Sequence, residues 1–229
     1  MTMVKFIYAD KLKNSYNVVG RFYDLETDLK IEKCRSLLTI TDISCNSTNN
    51  QDELLVVMLN PGGSQPADEN YIIRKLKKNE INRISEIPLV KTKPDIAQYQ
   101  IMRLMNLKKI KKAKIINLWD VRNTKSKEII DKVKNKSMDI DHITSIFCEE
   151  REAELRNCIP ENPIIILGWG NIKTQNDIAK KVKEKLSNHL YKIYCVTSGS
   201  NNFVFHPSPP SQKYKERWLN EIIKNLQNK

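Results

Sequence analysis

The stretch Leu54-Leu55-Val56-Val57-Met58-Leu59-Asn60-Pro61-Gly62-Gly63-Ser64 sets six apolar residues directly before an amide, a proline and two glycines. An unbroken apolar run of that length matches a strand covered by helices on both faces. In open α/β sheets, ligands collect beyond the carboxyl ends of such strands. Asn60, Pro61, Gly62 and Ser64 therefore stand where polar chemistry is expected, with a plain Pro-Gly turn as the structural alternative.

Three further strands of the same kind follow. Ala113 to Leu118 leads into Trp119-Asp120-Val121-Arg122-Asn123-Thr124, and Pro163 to Leu167 into Gly168-Trp169-Gly170; Tyr191 to Val196 precedes a Ser/Gly/Asn loop at 198–202. Between them, apolar residues at helical spacing predict short helices over 70–87 and longer ones over 95–110, 138–158, 172–188 and 212–226. Strands alternating with helices predict an α/β fold, a three-layer α/β/α sandwich with a central, mostly parallel four-stranded sheet. Alternating runs within 1–44 read as peripheral strands or a hairpin lying on that sheet, and 45–52 as an exposed loop. With no repeat or linker in evidence, 1–229 reads as one domain, a peripheral extension (1–53) on a core (54–229).

A chain of 229 residues can bury about 70–75% of its unfolded surface, so a full core needs no staples. The five cysteines form no C-x-x-C pair and no metal spacing with histidine, so reduced thiols and no metal or other cofactor are expected. The first thirty residues hold no secretory apolar core, and no apolar run approaches the ~20 residues of a membrane span, so a cytoplasmic monomer is expected. A formal net charge of +12 makes nucleic acid the first partner to consider, unless it reflects only a general enrichment in lysine.

The last motif is Phe203-Val204-Phe205-His206-Pro207-Ser208-Pro209-Pro210-Ser211. Pro207 pushes His206 into extended backbone, and the later prolines stiffen the turn around it. Asn60, Asn117 and His206, with Gly168-Trp169-Gly170 beside them, should converge on one edge of the sheet. In order and spacing these motifs resemble the uracil-DNA glycosylase superfamily, and more closely an uncharacterised microbial family known as domain of unknown function 1643. The resemblance runs over roughly residues 54–226, through Met58-Leu59-Asn60-Pro61, Asn117 to Arg122, Gly168-Trp169-Gly170 and His206-Pro207.

The resemblance implies that Asn60 positions a water, as in the superfamily's GINPG branch, that Gly62 replaces a tyrosine which blocks thymine, and that Asn117 reads the pairing edge of a base. It places His206 against the base carbonyl, and Pro61, Gly62, Trp119 and Tyr71 around the base, the two aromatics being candidates either for stacking or for the core. Ser64, Gly168, Gly170, Ser208, Pro210, Ser211 and Lys213 would contact DNA, single-stranded or mismatched duplex. The lysine-rich insert from Arg74 to Lys93 would track phosphates or merely solubilise the chain. Cleavage of an N-glycosidic bond leaves an anionic base, which a hydrogen bond from His206 would stabilise. Asn60 can orient a water but cannot take its proton, and Pro210 stands where the superfamily's wedge leucine fills the gap left by a flipped base. The expectation is therefore a glycosylase-fold DNA-binding protein with weak or absent uracil excision. The alternatives are an active N-glycosylase or nucleotide or nucleoside hydrolase on a modified base, and a target of an acidic DNA-mimic inhibitor protein.

Overall fold

The computed structural model describes residues 5–28, 30–45, 53–135, 137–161, 163–170, 176–187, 191–198 and 201–227. In chain order a short helix α1 (Ala9–Leu12) is followed by β1 (Tyr16–Glu26), β2 (Ile31–Asp42), β3 (Glu53–Met58), β4 (Arg74–Lys77), β5 (Val90–Lys91) and α2 (Ile96–Lys108). Then come β6 (Lys112–Asn117), α3 (Ser126–Lys134), α4 (Glu152–Cys158), β7 (Ile164–Leu167), α5 (Asn176–Lys185), β8 (Lys192–Cys195), β9 (Thr197–Ser198), β10 (Asn201–Val204) and α6 (Gln212–Gln227). Two 3-10 helices, Lys78–Glu86 and Glu149–Arg151, complete the described elements.

Among the described residues the main sheet has eight strands, in the order β4-β1-β2-β6-β3-β7-β8 with β5 beside β1. The run β6-β3-β7-β8 is parallel, as the apolar runs predict. The first forty residues differ from expectation. They are part of the sheet rather than peripheral to it, because the long antiparallel hairpin β1-β2 adds in plane to β6, with Leu38 opposite Ile115. The physical reason is an edge: β6 is buried on both faces, and without β2 its outer ladder of backbone N–H and C=O groups would be left open.

Side-chain alternation sorts the core into two layers. Leu54, Val56, Met58, Ala113 and Ile115 pack against α2 and α6 through Ile101, Met105, Trp218 and Ile222. Leu55, Val57, Leu59, Ile116 and Leu118 face the opposite side, with Ile129, Leu155, Ile178 and Val182 of α3, α4 and α5. The expected helices over 95–110 and 212–226 appear as α2 and α6. α2 starts at a capping box in which Asp95 accepts from the Gln98 backbone N–H (2.9 Å) and Gln98 accepts from the Asp95 N–H (3.3 Å). The helix expected over 138–158 is confined to α4 and the short 3-10 turn before it. Ile140, Ile146 and Phe147 are buried all the same. They are carried on turns, where the Phe147 N–H donates to Ser145 Oγ and His142 Nδ1 lies 2.8 Å from Thr144 Oγ1, local bonds that compete with a helix. Residues 70–87 likewise form β4 and a 3-10 helix instead of short α-helices. The expected loop over 45–52 lies, beyond Cys45, outside the described residues.

Candidate functional site

Two of the three convergent residues share one cavity. A space of about 180 Å³ beyond the carboxyl ends of β3 and β6 is lined by Asn60, Pro61, Gly62 and His206, and by Arg35, Asp95, Gln98 and Asn123. Asn117 is not in its wall, but parity puts it on the sheet face of Ile115 and beside Met58, both of which line the cavity. A cavity of about 150 Å³ accepts one benzene ring, so this one has room for a single six-membered ring and little more.

The loop geometry fixes the chemistry of each side chain. Asn60 Nδ2 donates to the carbonyls of Asn123 (2.7 Å) and Val121 (3.2 Å). Both amide protons are thereby spent, and because both partners are acceptors the orientation of the amide is determined. Its Oδ1 remains as an acceptor suited to orienting a water or a donor. His206 is fixed from the other side: the Ser208 backbone N–H donates to Nδ1 (3.1 Å), which leaves the proton of the neutral ring on Nε2. Burial holds the imidazole below its ordinary 6.5, with Asp95 pulling the other way, so at neutral pH it is an uncharged Nε2–H donor.

The glycines and prolines place that ring. A Cβ on Gly168 would lie 2.9 Å from Pro207 Cδ, so only glycine lets β7 end against the His-Pro turn. Gly170 has φ +90, a conformation other residues rarely adopt, and approaches the His206 Cβ.

Two residues of the cavity wall, and Asn117 beside it, carry buried polar atoms without partners among the described residues. Asn117 is 0% exposed, yet neither its Oδ1 nor its Nδ2 has a hydrogen-bond partner among the described residues. Arg35 Nε and Gln98 Nε2, in the cavity wall, are in the same position. Burial lowers the Arg35 guanidinium to about 10, so it is still a cation at pH 7. Buried polar groups are satisfied in the great majority of cases, so the unpartnered atoms of Arg35 and Gln98 in the wall, with Asn117 beside it, mark a place where a ligand would supply partners.

Several expected contacts are placed elsewhere. Trp119 is corrected from base-stacking to core: it is fully buried, packs on the far side of the sheet, and spends its indole N–H on the Asp139 carbonyl (2.6 Å). Tyr71 is half-buried and is not in the cavity wall. Ser64 is 2% exposed and Gly168 is buried, so neither offers a surface to DNA, while Gly170 is partly exposed and with Gly168 spaces the turn. Pro210, Ser211 and Lys213 are exposed beside the turn. Much of the Arg74–Lys93 insert is engaged in exposed ion pairs, Lys78 with Asp28, Lys93 with Glu69, and Arg74 and Arg83 with Glu86. Among the described residues no cluster of three or more His, Cys, Asp or Glu could hold a metal, and no helix is long and apolar enough to cross a membrane.

Sequence reasoning missed Arg35, Asp95, Gln98 and Asn123. The Asp-x-x-Gln capping box at 95–98 was a readable signal. Arg35 had none, since it reaches the cavity only through the pairing of β2 with β6. Leu38 pairs with Ile115 but Cys34 with Val121, so four residues of one strand run beside six of the other, and the excess peels the 117–120 segment towards β3.

Two partly buried histidines, His142 and His206, give the stability a pH dependence. Burial also holds His142 below 6.5, so the unfolded chain binds both protons more readily than the folded one. Their contribution to stability should be flat above about pH 7 and fall as the pH drops below 6.5, while Asp120, raised to about 7, works in the opposite direction. Between about pH 7.5 and 5.5 the urea midpoint of the wild type is expected to fall relative to that of a His142→Asn/His206→Asn variant, which retains the Asp120 contribution alone.

No curated protein and no solved structure matches the chain. A family model described as a protein of unknown function (DUF1643) matches residues 90–208, which take in Asp95, Gln98, Asn117, Asn123 and His206 but not Arg35 or Asn60. Matched over more than half its length, the chain belongs to the DUF1643 family.

Proposed function

We propose that the chain is a DNA-binding protein that receives an extruded base in the strand-end cavity and has at most weak activity in releasing uracil. The observation that carries this reading is the buried Asn117 amide, whose donor and acceptor are both unpartnered beside a cavity one ring wide. A pairing edge offers the complementary acceptor and donor. His206 Nε2–H suits a base carbonyl, and Arg35 and Gln98 add donors that favour an acceptor-rich base over plain uracil. The net charge of +12 favours a polyanionic strand.

Weak hydrolysis follows from Asn60, which can hold a water but can neither take its proton nor set a charge against a cationic sugar. The loop is built for an amide rather than merely lacking an acid. In an Asn60→Asp variant the carboxylate would face the Val121 and Asn123 carbonyls that now accept from Nδ2. That variant is expected to lose about 1–3 kcal/mol of stability and to gain no excision. The test is a panel of single-stranded and mismatched duplex oligonucleotides carrying normal and damaged bases, scored for binding by anisotropy and for base release. Salt-sensitive binding with little uracil release is expected. Rapid uracil release, lost in both His206→Ala and Asn60→Ala variants, would overturn the reading.

A further inference from the structure

We infer a second base subsite on the other side of His206, taking the base that neighbours the extruded one on the same strand; this rests on the reading above. Between the His-Pro turn and α6 lies a cavity of about 200 Å³, distinct from the first but sharing His206 as a wall. Its other walls include Phe205 and, from one face of α6 at helical spacing, Tyr214, Arg217, Trp218 and Glu221.

Two features give the ligand its chemistry. Phe205 is 38% exposed and Tyr214 56%, so two large rings are left open around one cavity where a flat ring could stack. Trp218 is 2% exposed, and its indole N–H has no acceptor among the described residues. An aliphatic side chain would leave that donor unsatisfied; a nucleobase brings ring and carbonyl acceptors together with two stacking faces.

The identity of the strand follows from the shared wall. His206 lines both cavities, so ligands in the two would flank one side chain, as adjacent nucleotides of one strand would. Arg217 Nε donates to Glu221 at 2.6 Å on the α6 face of the cavity, placing a donor and an acceptor within reach of the second base.

The test uses the full chain, a single-stranded oligonucleotide, and a backbone oligomer of equal length that carries no bases. Tyr214→Ala and Phe205→Ala, at exposed positions, should each weaken oligonucleotide binding about ten-fold and leave binding of the base-free oligomer unchanged. If both variants bind the oligonucleotide as the wild type does while Asn117→Leu does not, the second subsite is overturned and the first stands. If the wild type binds no oligonucleotide, both readings fall together.

Discussion

Replacing Arg151 with methionine is expected to lower the unfolding free energy by about 3–5 kcal/mol, the largest single effect in the molecule. The guanidinium and the Asp120 carboxylate are both 0% exposed and meet at 2.7 Å, and Glu154 meets the same guanidinium at 2.9 Å. Tyr23 Oη donates to Asp120 (2.9 Å), and Arg151 donates to the Thr144 carbonyl (3.2 Å). Burial pushes the Asp120 carboxyl up against the pull of Arg151. Burial also works against the arginine's charge, but Asp120 and Glu154 more than offset it. Methionine fills much of the space yet strands a carboxylate whose only other polar contact among the described residues is a phenol. Without the cation, the folded-state pKa of Asp120 rises further above its unfolded value. The deficit should then be smallest in mild acid and grow as the pH rises through the folded pKa. Urea unfolding at several pH values checks this, and a further Asp120→Asn change should recover part of the loss. A deficit below about 1 kcal/mol at neutral pH would show that the network contributes little.

The same network bears on the site. The Asp120 carbonyl accepts from the Arg35 backbone N–H (2.9 Å), and the Val121 carbonyl accepts from Asn60. A loosened 120–121 segment should therefore also weaken ligand binding, because two cavity residues take their positions from it.

The second large effect has the opposite sign on stability. Asn117→Leu, of similar volume, removes two buried unpartnered polar atoms and is expected to stabilise the free protein by about 1–3 kcal/mol. Ligand binding should meanwhile fall by one to two orders of magnitude, since the reading edge is gone. Stability gained while function is lost is the signature of a group kept for a ligand rather than for the fold. Thermal unfolding together with oligonucleotide anisotropy measures both. A destabilised Asn117→Leu protein would mean that the amide is satisfied in the free molecule, and the case for base reading would lose its main support.

What was legible in the sequence was local. The apolar runs at 54–59, 113–118 and 163–167 carry enough burial to be strands in any arrangement, and the Asp95 cap and Pro207 fix backbone at their own positions. Those runs place Asn60, Asn117 and His206 at strand ends. Helical spacing fails as a guide over 138–148 because buried Ile140, Ile146 and Phe147 fit it equally well on irregular backbone.

Only the tertiary structure decided the rest, because it depends on which strand pairs with which. The β1-β2 hairpin could have lain anywhere by its own pattern. By pairing with β6 it covers an open edge and carries Arg35 into the cavity. Trp119 and Asn117 are two residues apart in one motif, yet the bend after β6 sends the indole into the far core layer, while the amide stays on the cavity face. The sequence by itself determined which residue types reach the sheet edge. Strand pairing, and the hydrogen bonds that spend some of their polar atoms and leave others free, determined what those residues can do.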